Sequence, residues 1–156
     1  MDAPDLPAEL LTAGREYLGS LRNLGLRPEL FAWGYDFPGE KFFLFLVWPG
    51  IDRYGPLQLN KLLFAAYNAS ALPKAIDPFL VHCVSPKSSL ARDIRSQLRN
   101  PKWEAIQTGR ETSPGQVAAA TEFRREWIYD RADKRSAVDV TRDWRRFTER
   151  VGALAA

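Results

Sequence analysis

Apolar residues form one uninterrupted run in the first half of the chain, at residues 42–48. The run shows no polar alternation, so it predicts a strand whose two faces are both covered. It is too short to cross a bilayer, which takes about 20 apolar residues as a helix. A segment with helical spacing and a second apolar strand, residues 79–84, follow it. This order predicts two parallel strands joined by a right-handed β-α-β crossover.

Two further elements are predicted in front of this crossover. Leucines at helical spacing predict a first helix over residues 7–24, and Gly25 is a suitable residue to end it. Residues 30–35 predict a strand. The turn at Pro38 and Gly39 would pair this strand with the 42–48 run as an antiparallel β-hairpin.

The second half of the chain is predicted to be helical. Residues 101–112 are interpreted as a connector, and residues 113–156 as a C-terminal helical layer. The segment 113–116 has the spacing of a capping box, and Phe123 and Trp127 follow it four residues apart. Together with an α/β core over residues 1–100, these elements predict a single domain over residues 1–156 with a small mixed sheet, of the α+β class or alternatively a small α/β fold.

The composition narrows the class of protein. With 156 residues, 46% of them hydrophobic, the chain is long enough to bury one core. Its single Cys excludes an internal disulfide, and its single His excludes the common zinc sites with two or three His ligands. The N-terminal residues lack the apolar segment of a secretory signal. We therefore expect a cytoplasmic protein with no metal, no cofactor and no membrane association.

Positive charge is concentrated in one segment of the chain. The formal net charge is +3, yet residues 87–110 hold six Lys or Arg residues against two acidic ones. On a helical wheel three arginines share one stripe, and a lysine lies at each end of it; the five residues are Lys87, Arg92, Arg95, Arg99 and Lys102. Such a stripe predicts a site for a phosphate-bearing partner, DNA or RNA, or for an acidic protein surface. The alternative is a solvated helix face.

A second candidate site lies where the two apolar strands end. They lead into loops 49–55 and 85–89, and each loop runs into the start of a helix. Ligands of α/β sheets bind beyond such strand ends, and helix N-termini favour anions. With Lys87, the polar residues that would form this pocket are Asp52, Arg53, Tyr54, Ser88 and Ser89. The alternative is that the serines only cap the next helix.

No catalytic residue is predicted. His82 and Cys83 are neighbours on a strand, so their side chains point to opposite faces and cannot act as a dyad. Carboxylate pairs occur at helical spacing, among them Glu122 with Glu126 and Asp139 with Asp143, and arginines alternate with them. We interpret these carboxylates as exposed helix residues in ion pairs with arginines, such as Asp139 with Arg142 and Asp143 with Arg146.

Three functions are consistent with these features. The first is a small non-enzymatic binding or accessory protein that uses the basic stripe. The second is an enzyme that acts on a phosphorylated small molecule or nucleic acid at the strand-end loops. The third is a structural subunit of an oligomer or complex, with an aromatic interface.

Overall fold

The computed structural model describes residues 2–131 and 134–154 of the chain. The helices in these residues are α1 (Ala8–Asn23), α2 (Ile51–Tyr54), α3 (Pro56–Asn68), α4 (Ser89–Leu98) and α5 (Ala137–Leu154). The strands are β1 (Leu30–Asp36), β2 (Lys41–Val47), β3 (Val81–Val84), β4 (Ala105–Ser113), β5 (Gln116–Arg124) and β6 (Ile128–Arg131). Two short 3-10 turns, Pro78–Leu80 and Arg125–Trp127, precede β3 and β6.

The strands form one mixed sheet in the order β3-β2-β1-β5-β4, and β6 pairs with β1. β1 and β2 are the predicted antiparallel hairpin, with Leu30 opposite Val47. β3 lies parallel to β2, with Leu44 opposite Val81. β5 pairs with the end of β1 at Asp36, whereas β6 pairs with its beginning. The α+β class, the N-terminal helix, the hairpin and the parallel crossover are therefore confirmed.

Both faces of β2 are buried, as the unbroken apolar run predicts. Phe43, Phe45 and Val47 lie in a core that α4 covers. Leu44 and Leu46 lie in the other core, which α1, α3 and α5 cover. Because alternate side chains of a strand point to opposite faces, each core takes every second residue of β2. The apolar run is thus the part of the chain that joins the two cores.

The end of α1 shows how a short sequence signal fixes the chain direction. Gly25 has a positive φ of 101°, the left-handed conformation that glycine adopts without strain. The N–H of Leu26 donates to the carbonyl of Leu21 at 3.0 Å, and the N–H of Gly25 donates to that of Arg22 at 3.0 Å. These two bonds satisfy carbonyls at the helix end and turn the chain toward β1.

The secondary structure predicted for residues 101–131 is wrong. The predicted connector contains β4, and the predicted capping box is the tight turn between β4 and β5. In the described part of residues 113–156, β5, a 3-10 turn and β6 precede α5, so α5 is the one α-helix there. Gly115 has a φ of 80°, so Pro114 and Gly115 reverse the chain between paired residues Ser113 and Gln116. Phe123 and Trp127 do not share a helix face, because Phe123 lies in β5 and Trp127 in the 3-10 turn that follows it. Their side chains pack in different cores.

The second apolar strand begins later than predicted. Residues 78–80 form a 3-10 turn, which Asp77 caps by accepting a hydrogen bond from the N–H of Phe79 at 2.8 Å. The turn leaves the Phe79 ring 78% exposed, and only residues 81–84 pair with β2. No helix in the described part of the chain is long and apolar enough to cross a membrane.

The two-sided burial of β2 predicts that a Phe→Ala change within β2 lowers the free energy of unfolding far more than one at an exposed position outside it. Phe45 is fully buried against Phe123, with 5.3 Å between ring centroids. Phe45→Ala should therefore lower the free energy of unfolding by about 3–5 kcal/mol. Phe79→Ala removes the same atoms from an exposed position and should change it by less than about 0.5 kcal/mol. Urea denaturation followed by circular dichroism measures both, and similar effects of the two changes would contradict the described burial.

Candidate functional site

A groove of about 860 Å³ lies at the end of the sheet where β2 and β3 end and β1 begins. One face of α4 lines it, together with the loop after β3 and the segment after β2 that includes the start of α2. Glu29, which directly precedes β1, and two residues that precede α5 complete the lining. Six of the lining residues are basic: Lys87, Arg92, Arg95, Arg99, Lys134 and Arg135. We call this feature the basic groove.

The basic groove combines residues from the two sites that the sequence predicts separately. From the basic stripe it contains Lys87 and three arginines of the α4 segment, Arg92, Arg95 and Arg99. From the strand-end pocket it contains Asp52 and Ser89. The opposite face of α4 packs into the core through Ala91 and Ile94. This packing fixes the helix so that Arg92, Ser96 and Arg99 share the groove side at helical spacing.

Four of the predicted residues lie outside the groove lining, in contacts of their own. Arg53 donates from Nη1 to Oγ1 of Thr141 at 2.6 Å, which ties α2 to α5. Tyr54 stacks on Trp144, with 4.5 Å between ring centroids. Ser88 caps α4, since its Oγ accepts a hydrogen bond from the N–H of Ala91 at 3.2 Å. Lys102 lies beyond the end of α4, where its N–H donates to the side chain of Asn100 at 3.0 Å.

A buried carboxylate, Glu29, organises the groove. Its side chain is 3% exposed, and its Oε1 accepts a hydrogen bond from Nη2 of Arg95 at 2.6 Å. Its Oε2 accepts from the N–H of Arg135 at 3.3 Å. Glu29 thereby links α4 to the segment that leads into α5. Because a buried charge is costly without a partner, these bonds hold the two parts of the groove together.

A second buried acid neutralises Arg135. Asp143 is 1% exposed, and its Oδ2 accepts from Nη2 of Arg135 at 2.6 Å and from Nε at 3.2 Å. The prediction that Asp143 is exposed and pairs with Arg146 is therefore wrong. Asp143 faces inward and binds Arg135, which precedes its helix. The predicted i, i+3 pair of Asp139 with Arg142 is confirmed at 2.8 Å.

The charges that remain in the groove are mostly positive. Lys87, Arg92, Arg99 and Lys134 make no ion pair within residues 2–131 and 134–154. The acidic lining residues without an ion pair there are Asp52 and Asp93, and Asp52 accepts a hydrogen bond from Oγ of Ser85 at 2.9 Å. The groove thus presents an excess of two positive charges, which favours an anionic ligand.

Glu122 corrects the other predicted carboxylate pair. It lies in β5 rather than on an exposed helix, and it is 2% exposed. Its carboxylate accepts hydrogen bonds from Nε2 of Gln107 at 2.6 Å, Nε of Arg124 at 2.9 Å and the N–H of Ala3 at 3.3 Å. Arg124 also binds Asp5 at 2.8 Å. This cluster fastens the N-terminal residues to β5, and its carboxylate is fully occupied.

The His82 and Cys83 side chains lie on opposite faces of the sheet, as their positions predict. Cys83 packs against the core of α1 and α3, and burial raises the pKa of its thiol to about 12. The His82 ring stacks on Phe43, with 4.6 Å between centroids, and burial is the main cause that lowers its pKa. Within the described residues, no three His, Cys, Asp or Glu side chains are grouped so that they could hold a metal ion.

Sequence reasoning missed Glu29, Lys134 and Arg135 because they are far from α4 along the chain. The one local signal is Glu29 itself, an acidic residue between Pro28 and an apolar strand. No family model matches the chain, and no curated protein or solved structure was found to be similar to it. The function must therefore be argued from the groove alone.

The Glu29 network predicts a stability difference between two Glu→Ala variants. Glu29→Ala removes the hydrogen bonds that this carboxylate accepts from Arg95 and Arg135 and should lower the free energy of unfolding by about 2 kcal/mol. Glu16→Ala, at an exposed position of α1, should change it by less than about 0.5 kcal/mol. Urea denaturation at neutral pH compares the two, and a Glu29→Ala variant as stable as the parent would show that the network does not hold the groove together.

Proposed function

We propose that the protein is a non-enzymatic binding or accessory protein that engages nucleic acid through the basic groove. The observation that supports this most is the row of cations on the outer face of α4. Arg92 and Arg99 are seven positions apart, which corresponds to about 10 Å along the helix axis. Lys87 precedes the row, and Lys134 belongs to the segment that Glu29 ties to α4. A row of unpaired cations is suited to the regularly spaced phosphates of a nucleic-acid backbone.

The lining of the groove favours nucleic acid over an acidic protein surface. Protein interfaces are centred on buried aromatic or large apolar side chains, which supply most of the binding energy. Among the described residues, the groove is lined by charged residues, serines and two prolines, Pro49 and Pro86. Such a lining offers a protein partner no apolar anchor. It suits a ligand whose binding depends on charge and counterion release.

The role of the arginines differs from one position to the next. Arg92 and Arg99 are exposed and available to a ligand, whereas Arg95 is bound to the buried Glu29. Replacing all three would therefore mix a loss of binding with a loss of stability. The binding function is best assigned to Arg92 and Arg99, with Lys87 and Lys134 beside them, and Arg95 supports the shape of the groove.

The enzymatic alternative has less support from the strand-end loops. Arg53 is directed to Thr141, Ser88 caps α4, and Tyr54 packs against the aromatic core. Of the polar residues predicted for this pocket, Asp52, Lys87 and Ser89 line the groove. Arg53, the cation expected from residues 49–55 beside Lys87, does not line it.

Removing the two exposed arginines should weaken nucleic-acid binding and reduce its salt dependence. In Arg92→Gln/Arg99→Gln, two phosphate contacts are lost, so the slope of log K against log salt concentration should fall in magnitude by about 2. Fluorescence anisotropy with labelled DNA and RNA between about 50 and about 200 mM salt measures this slope. The free energy of unfolding should remain within about 0.5 kcal/mol of the parent, because both side chains are exposed.

The matched control is Lys61→Gln/Arg145→Gln, which removes the same charge from exposed positions outside the groove. It should leave the slope of log K against log salt concentration within about 0.5 of the parent value, which is half the change expected for one lost phosphate contact. Equal losses in the two double variants would indicate nonspecific attraction by net charge. Unchanged binding in the groove variant would contradict the proposal.

A further inference from the structure

We infer that the ligand of the basic groove is double-stranded, and that the groove holds the sugar-phosphate backbone rather than unpaired bases. This inference rests on the nucleic-acid function proposed above and names the form of nucleic acid that fits. It depends on two observations: where the aromatic side chains lie, and how rigidly the cations are held.

Aromatic side chains are absent from the described lining of the groove. Proteins that bind single strands place their bases on exposed aromatic rings, and this stacking supplies much of the affinity. A single strand in the basic groove would leave its bases without such a surface. A duplex needs none, because its bases already stack on one another and its outward-facing phosphates supply the contacts that position a protein on it.

The aromatic residues closest to the groove along the chain are already engaged elsewhere. Tyr54 and Trp144 stack on each other, and both stack on the buried Trp48. Trp103, which follows α4, is 6% exposed, and the guanidinium of Arg125 lies 4.9 Å from its ring centroid. Each of these rings thus already has an aromatic or guanidinium partner within the fold.

Among the Phe, Tyr and Trp side chains of the described residues, the most exposed one, Phe79, lies outside the basic groove. Phe79 packs edge-on against Phe64, with 5.0 Å between centroids, in an apolar groove beside α3. That groove and the basic groove share no lining residue. The Phe79 ring is therefore not part of the basic groove.

The cations of the basic groove are held on a rigid support. Arg92 and Arg99 project from the α4 segment, whose other face is buried in the core. The ion pair of Glu29 with Arg95 and the hydrogen bond that Glu29 accepts from the N–H of Arg135 link that helix to the segment of Lys134. A duplex presents phosphates at fixed spacing, so it loses less conformational freedom on binding than a single strand does. A flexible single strand would have to be ordered on binding, which weakens its affinity.

The test compares one labelled duplex of about 20 base pairs with each of its two separate strands, on the full chain at about 50 mM salt. Fluorescence anisotropy should show that the duplex binds at least about tenfold more tightly than either strand, a margin comparable to one missing base-aromatic stack. Unlabelled single strand should displace the duplex only at a correspondingly higher concentration. DNA and RNA duplexes are tested separately, and either can show the preference.

Two variants make the outcome decisive. Arg92→Gln/Arg99→Gln should weaken duplex binding, and Phe79→Ala should leave the binding of both forms unchanged. Single strands that bind as tightly as the duplex, or a loss of single-strand binding in Phe79→Ala, would overturn the inference while the nucleic-acid function stands. Absence of binding to duplex and single strand alike would overturn the proposed function as well.

Discussion

The two-sided burial of β2 is the constraint on which the rest of the structure depends. A strand with no polar face must be covered twice, so helices are required on both sides of the sheet. α1, α3 and α5 cover the face of Leu44 and Leu46, and α4 covers the face of Phe45. Because α4 is the helix on its side that packs through Ala91 and Ile94, its polar face is left to point away from the core. The burial of β2 thus determines which face of α4, and with it the arginine row, points outward.

The groove exists because buried acids connect elements that are distant in sequence. Glu29 lies where β1 begins and binds both Arg95 of α4 and the backbone at Arg135. Asp143 of α5 then takes up the charge of the Arg135 side chain. These pairs neutralise Arg95 and Arg135, two of the six basic residues that line the groove. The other four basic residues remain available to a ligand. The same network therefore gives the site its shape and determines which cations can bind a ligand.

The sequence was sufficient where one local signal determines one element. The unbroken run of β2, the Gly25 stop of α1 and the Pro-Gly turn of the hairpin all predict what the structure shows. It failed at residues 101–131, where Ser113-Pro114-Gly115-Gln116 fits both a capping box and a two-residue turn, and the alanines after Val117 favour a helix. The segment that begins at Gln116 is a strand because it pairs with both β1 and β4, which the local sequence does not reveal. Likewise, the stripe of α4 could be predicted, but Glu29, Lys134 and Arg135 could not, because only the tertiary fold brings them to it.

The most direct test of the central claim is a map of ligand contacts on the protein surface. Amide and arginine side-chain signals of ¹⁵N-labelled protein, titrated with a short duplex, would report which residues meet the ligand. We expect the largest shifts along the outer face of α4, at Arg92, Ser96 and Arg99, and at Lys134. Shifts concentrated around Leu57 and Phe79, with α4 unaffected, would contradict the account, since they would place the ligand on the apolar surface beside α3.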